Sequence, residues 1–176
     1  MPVKLIGDIL SGSRTERIAG GPTDRVIESG DTVILDLSPV IGGYRADYTA
    51  TFVVDGEPGA RLKALESALH GAMDAGKGQL VAGRKCSQVY ATVKNYLDET
   101  EFGAYSTRHV GHGLGLGHPE APYFVPGSGE ELLVGDVVTL EPGAYPKGCA
   151  ARIEHICLVT ENGPEQLTRH NTTFTF

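Results

Sequence analysis

Two sets of residues in this sequence have types and spacing suited to chemistry. The first is the run Arg108 to Glu120, RHVGHGLGLGHPE, where His109, His112 and His118 sit among Gly111, Gly113, Gly115 and Gly117. Alternating glycine opposes a helix, since each Gly costs roughly 1 kcal/mol relative to Ala. It also lets another strand or a ligand come close to the backbone. An imidazole held there is poorly placed for packing and well placed for chemistry. By itself the run is equally a glycine-rich loop with incidental histidines. The second set separates the two readings.

That set is an internal echo. Gly30-Asp31 leads through a β-rich run to Asp36, and Gly135-Asp136 leads through a similar run to Glu141. A turn and a second carboxylate follow each, Asp47 in one copy and Glu154 in the other. This pattern predicts a duplicated hairpin unit carrying two acids per copy. The partner strand of a hairpin resets the register, so four carboxylates from four strands can meet at one point. Four buried carboxylates repel one another and do not all stay ionised without a positive group between them. A divalent metal supplies it. An oxygen-rich set with one imidazole suits first-row ions such as Mn²⁺, Co²⁺ or Fe²⁺ better than a thiolate zinc site does.

The elements that must position these groups follow from periodicity. A short strand is expected from Val3 to Ile9, then mostly loop through the breakers up to residue 29. Thr32–Leu37 and Tyr44–Val54 read as a hairpin around Ile41-Gly42-Gly43. Leu62, Leu65, Leu69 and Met73 recur at helical spacing, so a helix with one buried face is predicted within 58–80. Ser87 is the expected N-cap of a second helix, with Val89, Val93, Tyr96 and Leu97 on its inner face. A strand from Gly135 to Glu141 and another over 151–160 complete the second hairpin. The tail, Glu165 to Phe176, reads as an edge strand.

Composition bounds the partners. With 15 basic and 22 acidic residues the formal charge is −7, against a nucleic-acid or anionic-membrane surface. Cys86, Cys149 and Cys157 form no C-x-x-C pair, so neither a disulfide framework nor a thiolate site is indicated, and a reducing, cytoplasmic setting is expected. No apolar run approaches the roughly 18 residues of a membrane span.

Taken together, SGDTVILDL, GGYRADYTATF, HVGHGLGLGHPEAP, LEPGAY and ARIEHICLVTENG resemble the pita-bread metallopeptidases. These include methionine aminopeptidase, Xaa-Pro aminopeptidase, prolidase and creatinase. EPGAY and the short spacing to R-I-E are closer to the Xaa-Pro branch. The resemblance implies an α+β fold, a curved antiparallel sheet with helices on its outer face, in a single partial catalytic domain over 1–176. It implies two divalent ions, Mn²⁺ or Co²⁺ first and Fe²⁺ or Zn²⁺ as alternatives, held by Asp36, Asp47, His112, Glu141 and Glu154. Glu141 would take the proton of the attacking water and pass it to the leaving amine. The implied activity is removal of an N-terminal residue from a peptide, with a creatinase-like C–N hydrolase or a catalytically silent peptide-binding relative as alternatives.

Three positions depart from the family. Ala19 stands where a histidine is usual seventeen residues before the first metal aspartate. Arg108 occupies the supporting position four before His112, with His109 next to it. Pro119 occupies the one seven after, preceded by His118. His109 and His118 would stand in as supporting catalytic histidines by local backbone shifts. The family's first half also carries its own helix pair, and residues 1–29 have no helical pattern. Truncation at the front is therefore expected, with an apolar face around Val33 and Leu35 left for a missing segment, a partner or a second copy.

Overall fold

A computed structural model describes residues 4–175. In chain order the elements are β1 (Lys4–Ser11), a 3-10 turn (Gly12–Glu16), β2 (Thr32–Ile41), β3 (Tyr44–Arg45) and β4 (Tyr48–Val53). Then come α1 (Ala60–Lys77), α2 (Cys86–Asp98), a second 3-10 turn (Gly103–Tyr105), β5 (His112–Gly113) and β6 (Glu120–Tyr123). The chain finishes with β7 (Val137–Leu140), β8 (Gly143–Ala144), β9 (Ala151–Arg152), β10 (His155–Thr160) and β11 (Gly163–Gln166). The pairing is antiparallel throughout.

The echo is structural. In the first half β2 pairs β4, with Asp36 opposite Thr49, and β1 closes the other side of β2. In the second half β7 pairs β10 in a sheet ordered β11-β10-β7-β5-β6. Both predicted return strands are broken at their acid: Asp47 lies between β3 and β4, and Glu154 between β9 and β10. The breaks are alike in cause. The register is the same on both sides of each break: Ala46 stands opposite Pro39 and donates to its carbonyl at 2.9 Å, and Ile153 stands opposite Pro142 and donates to its carbonyl at 3.3 Å. Proline has no N–H to return the bond, so each return strand is interrupted beside its carboxylate without any shift of register.

Period two is clean along β4, where Thr49, Thr51 and Val53 are buried and Tyr48, Ala50 and Phe52 are half-buried. The helices keep their predicted stripe. Leu62, Leu65, Leu69 and Met73 of α1 meet Val89, Val93 and Leu97 of α2 in one core that extends to Val138 and Leu140 of β7. Burying a leucine such as Leu65 contributes about 1.5–3 kcal/mol. Gly76 lies inside α1. A Cβ there would meet Val93 at 2.6 Å and Leu140 at 2.9 Å, so glycine is what lets α1 sit against both α2 and β7.

Other expectations need correction. Ser87 lies inside the first turn of α2; the turn is closed instead by Gln88, whose Oε1 accepts the Lys85 N–H at 3.3 Å. Tyr96 is 39% exposed, across Gly71 at the rim of the helix pair, not on its inner face. The tail is an edge strand only over Gly163–Gln166; beyond it Leu167 and Thr168 bind β10 and the chain crosses to bury Phe174. Val3 and Phe176, at the ends of two predicted strands, lie outside the described residues. Among the described residues no α-helix precedes β2, as expected. Val33 is nevertheless buried, whereas Leu35, Ala50 and Phe52 line an open groove of about 330 Å³.

Candidate metal centre

The seam between the two halves gathers the acids and imidazoles. Asp36 comes from the middle of β2, Asp47 from the β3–β4 break, His112 from the start of β5, Glu141 from the end of β7 and Glu154 from the β9–β10 break. Local backbone contacts fix the second-half groups. The Glu141 N–H donates to the Val110 carbonyl at 2.9 Å, and the His112 N–H to Thr139 Oγ1 at 3.2 Å. Close approach at the glycines is also real. A Cβ on Gly113 would strike the Ala121 carbonyl, and one on Gly111 the Thr139 carbonyl.

Three overlapping triplets each put their donor atoms within 4.8 Å of one another: Asp36, Asp47 and Glu154; His112, Glu141 and Glu154; Asp47, His112 and His118. His112 Nε2 is 3.5 Å from both Asp47 Oδ2 and Glu141 Oε1. Its Nδ1 is 2.8 Å from the Gly113 carbonyl, which fixes Nδ1 as the protonated nitrogen and leaves the Nε2 lone pair facing the acids. Thr49 Oγ1 donates to Glu154 Oε2 at 2.8 Å. Asp47 Oδ1 and Glu154 Oε1 are two of the three buried side-chain polar atoms without a partner among the described residues, the third being Arg84 Nε. Buried polar atoms are rarely left so, and a missing ion is one standing reason.

Both shifted histidines reach the centre. His118 Nε2 lies 2.5 Å from Asp47 Oδ2, and His109 Nδ1 lies 3.4 Å from Glu141 Oε1 with its ring stacked 5.5 Å from that of His112. Ala19 has no such capacity. At this corner its neighbour Ile18 supplies a carbonyl, which accepts from the Arg152 guanidinium at 2.9 Å.

Arg152 and Thr49 are neighbours of the candidate centre that sequence reasoning did not single out. Arg152 pairs with Asp36 and donates to Tyr145 Oη at 2.8 Å and to Thr49 Oγ1 at 3.3 Å, while only 5% exposed. A signal existed. Arg152 precedes Glu154 by two residues and Thr49 follows Asp47 by two, the spacing that returns a strand to one face. Ile18, Thr107, Arg108, His109, Glu141, Tyr145 and Arg152 line a cleft of about 270 Å³ opening onto the centre.

The electrostatics are those of a surplus of buried negative charge. Burial, against the pull of Arg152 and with repulsion from Asp36 and Asp47, pushes Glu141 up to about 8. Burial raises Glu154 well above the carboxylate range, with Glu141 and Asp47 adding repulsion. Asp47 is raised chiefly by burial as well. Burial lowers His112 to about 4, so it is a neutral donor at pH 7. His118 is raised by its hydrogen bond to Asp47. One guanidinium and one protonatable imidazole do not balance four acids. The donor set, the two unpartnered oxygens and the raised acids all fit divalent cations between them.

Residues 6–161 match metallopeptidase family M24. The chain belongs to that family. Among M24 relatives it is 34% identical over 161 residues to the uncharacterized peptidase YqhT of Bacillus subtilis, covering 91% of this chain and 45% of that protein. It is 33% identical over 162 residues to the Xaa-Pro dipeptidase of Pyrococcus horikoshii, covering 92% and 46%. In structure it is similar to the X-Pro aminopeptidase of Thermotoga maritima, with a TM-score of 0.91 at 28% identity, covering 97% of this chain and 49% of that one. The prolidase of Pyrococcus horikoshii gives 0.90 at 32%, covering 96% and 48%. The M24 chain described here thus has the pita-bread fold and spans about half the length of these relatives. No helix among the described residues is long and apolar enough to cross a membrane.

Proposed function

We propose that this chain carries a dinuclear metal centre and hydrolyses peptides as an exopeptidase, removing an N-terminal residue with a preference for the bond before proline. The observation that carries the reading is the convergence of Asp36, Asp47, His112, Glu141 and Glu154 with Asp47 Oδ1 and Glu154 Oε1 buried and unpartnered. The similarity to an Xaa-Pro dipeptidase and to X-Pro aminopeptidase and prolidase structures supports the substrate class.

In this reading Asp36, Asp47, His112, Glu141 and Glu154 hold the ions, Mn²⁺ or Co²⁺. Such ions supply Lewis acidity, polarising the scissile carbonyl and lowering the pKa of the attacking water toward about 7. With cations beside it Glu141 would be ionised at neutral pH, and its carboxylate would accept the water proton and return it to the leaving amine. His109, beside Glu141 at the cleft, and His118, beside Asp47, orient the peptide and donate to the developing oxyanion. Arg152, itself bonded to the Tyr145 hydroxyl, holds Asp36 in its orientation. The peptide would enter by the cleft of about 270 Å³ that His109, Glu141 and Arg152 help to line. Three buried, unpaired cysteines suit the expected reducing compartment.

The test is metal analysis of the purified chain followed by a panel of Xaa-Pro dipeptides, longer Xaa-Pro peptides, Met-led peptides and creatine. About two ions per chain with turnover on Xaa-Pro substrates is the expected result. Stoichiometric metal with no turnover on any substrate favours a silent binding module, and turnover on creatine alone a C–N hydrolase.

A further inference from the structure

The seam that carries the metal centre is not closed by a strand ladder. Among the described residues β4 pairs in a ladder only with β2, and it meets Arg152 and Glu154 through the side chains of Thr51 and Thr49. Thr51 Oγ1 donates to the Arg152 carbonyl at 2.7 Å and accepts the Arg152 N–H at 3.1 Å, and Thr49 reaches Glu154. The segment beyond β11 crosses this seam. It starts on β10, where the Leu167 N–H donates to the Ile156 carbonyl at 2.8 Å and Thr168 Oγ1 accepts the Ile156 N–H at 3.1 Å. It ends on α1 and β4, where the Phe174 N–H donates to Glu66 Oε1 at 2.9 Å and the Phe174 carbonyl accepts the Val53 N–H at 3.0 Å. Between these anchors His170 Nε2–H donates to the Thr49 carbonyl at 3.2 Å, and its ring also lies against the Glu154 main chain. The rings of His155 and Tyr48 lie 4.9 and 5.0 Å from it, both tilted.

We propose that His170 is a positioning residue for the metal centre: by clamping Thr49 beside Glu154 across the seam, it keeps Glu154 Oε1 aimed at the ions. The inference rests on the metal reading above. The physical reason is that Thr49 serves two ligands at once. Its hydroxyl takes up Glu154 Oε2, leaving Oε1 to turn inward, and its strand position opposes Asp36. A side-chain-bridged seam spreads more readily than a ladder, so a donor from a doubly anchored segment sets its width. Outer contacts of this kind typically change metal affinity 10–100-fold.

The test compares two variants of the 176-residue chain that fill the same space. His170→Gln keeps a distal N–H donor, and His170→Met keeps the volume without a donor. Co²⁺ binding is measured by calorimetry, the visible Co²⁺ spectrum is recorded, and melting is followed in EDTA. The Gln variant is expected to bind Co²⁺ within about threefold of wild type, and the Met variant roughly 10–100-fold more weakly with an altered spectrum, while the two melt alike without metal. Equal Co²⁺ affinity and spectra in the two variants, whether at the wild-type level or equally weakened, overturn the clamp. Thr49→Val is the second arm. It keeps the acceptor for His170 but loses the hydroxyl, and is expected to reproduce the weakening; wild-type binding in it overturns the route through Thr49. A wild-type chain that binds no Co²⁺ overturns the metal reading and this inference together. Equal variants of a binding wild type overturn only this one.

Discussion

At the scale of single residues, Glu141 combines the two demands of the proposed chemistry, a ligand and a base. Glu141→Gln keeps an oxygen ligand and the volume but cannot take a proton at neutral pH. Turnover is expected to fall by about 10²–10⁴-fold, the usual contribution of a general base, while metal analysis still finds bound ion. Unchanged turnover would place the base elsewhere. The same group predicts how the metal-free chain responds to pH. Burial and like charge raise Glu141 to about 8 and also raise Glu154, above their unfolded values, so the folded state binds more protons than the unfolded state and stability falls as pH rises. Below about pH 6.5 the depressed imidazoles of His112 and His155 act in the opposite sense, since only the unfolded state protonates them. Above it that opposition ends. The chain in EDTA should therefore lose stability from about pH 6.5 to 8, at roughly 1.4 kcal/mol per pH unit for each proton difference. Excess Mn²⁺ should remove the slope. A melting temperature in EDTA that rises across this window would contradict the proposed charge balance.

At the scale of elements, the glycine-flanked strand β5 matters more than its two residues suggest. It pairs with both β6 and β7, and so carries His112 between them. Gly113→Ala would drive a methyl group into the Ala121 carbonyl of β6. Overpacking of this kind costs about 1–3 kcal/mol, and here the strand that must shift is the one bearing the imidazole. The expected outcome is that loss in urea unfolding together with weaker Co²⁺ binding. Full stability with weakened binding would mean that β6 moved away, and unchanged binding that His112 is held from the Thr139 side alone.

At the scale of the whole molecule, the two halves are covered unequally. The second half buries its outer face under α1 and α2, whereas Leu35 and Ala50 of the first remain half-buried beside an open groove. At about 25 cal/mol per Å², a few hundred Å² left uncovered forfeits several kcal/mol, comparable with a domain's net stability. The isolated chain is expected to elute above its 18.6 kDa mass in size exclusion, or to melt early when dilution keeps it monomeric. Addition of Mn²⁺ should raise the melting point, because a ligand that binds only the folded state stabilises it. A dilute monomer with a sharp transition at high temperature would contradict this and would mean that the segment before β2 covers more of the face than the groove indicates.

Much of this was legible in the sequence, because its signals are local. The duplicated Gly-Asp strands, the leucine stripe of α1 and the alternating glycines each follow from the spacing of neighbours along one element, and they led to the acids and imidazoles that the fold brings together. Tertiary structure decided the rest. Nothing local revealed that Tyr96 falls at the rim of the helix pair. The sequence suggested that His109 and His118 serve the site from positions one residue out of register, but not that Glu141 and Asp47 are the groups they meet there. Least visible were the contacts that cross the seam: Arg152 on Asp36, Thr49 on Glu154 and His170 on Thr49. Their partners lie about a hundred residues away in the chain. Periodicity assigns a residue to a face of its own strand, but which side chain on the facing strand it meets depends on how the two halves are brought together, and that is set by the packing of the whole chain.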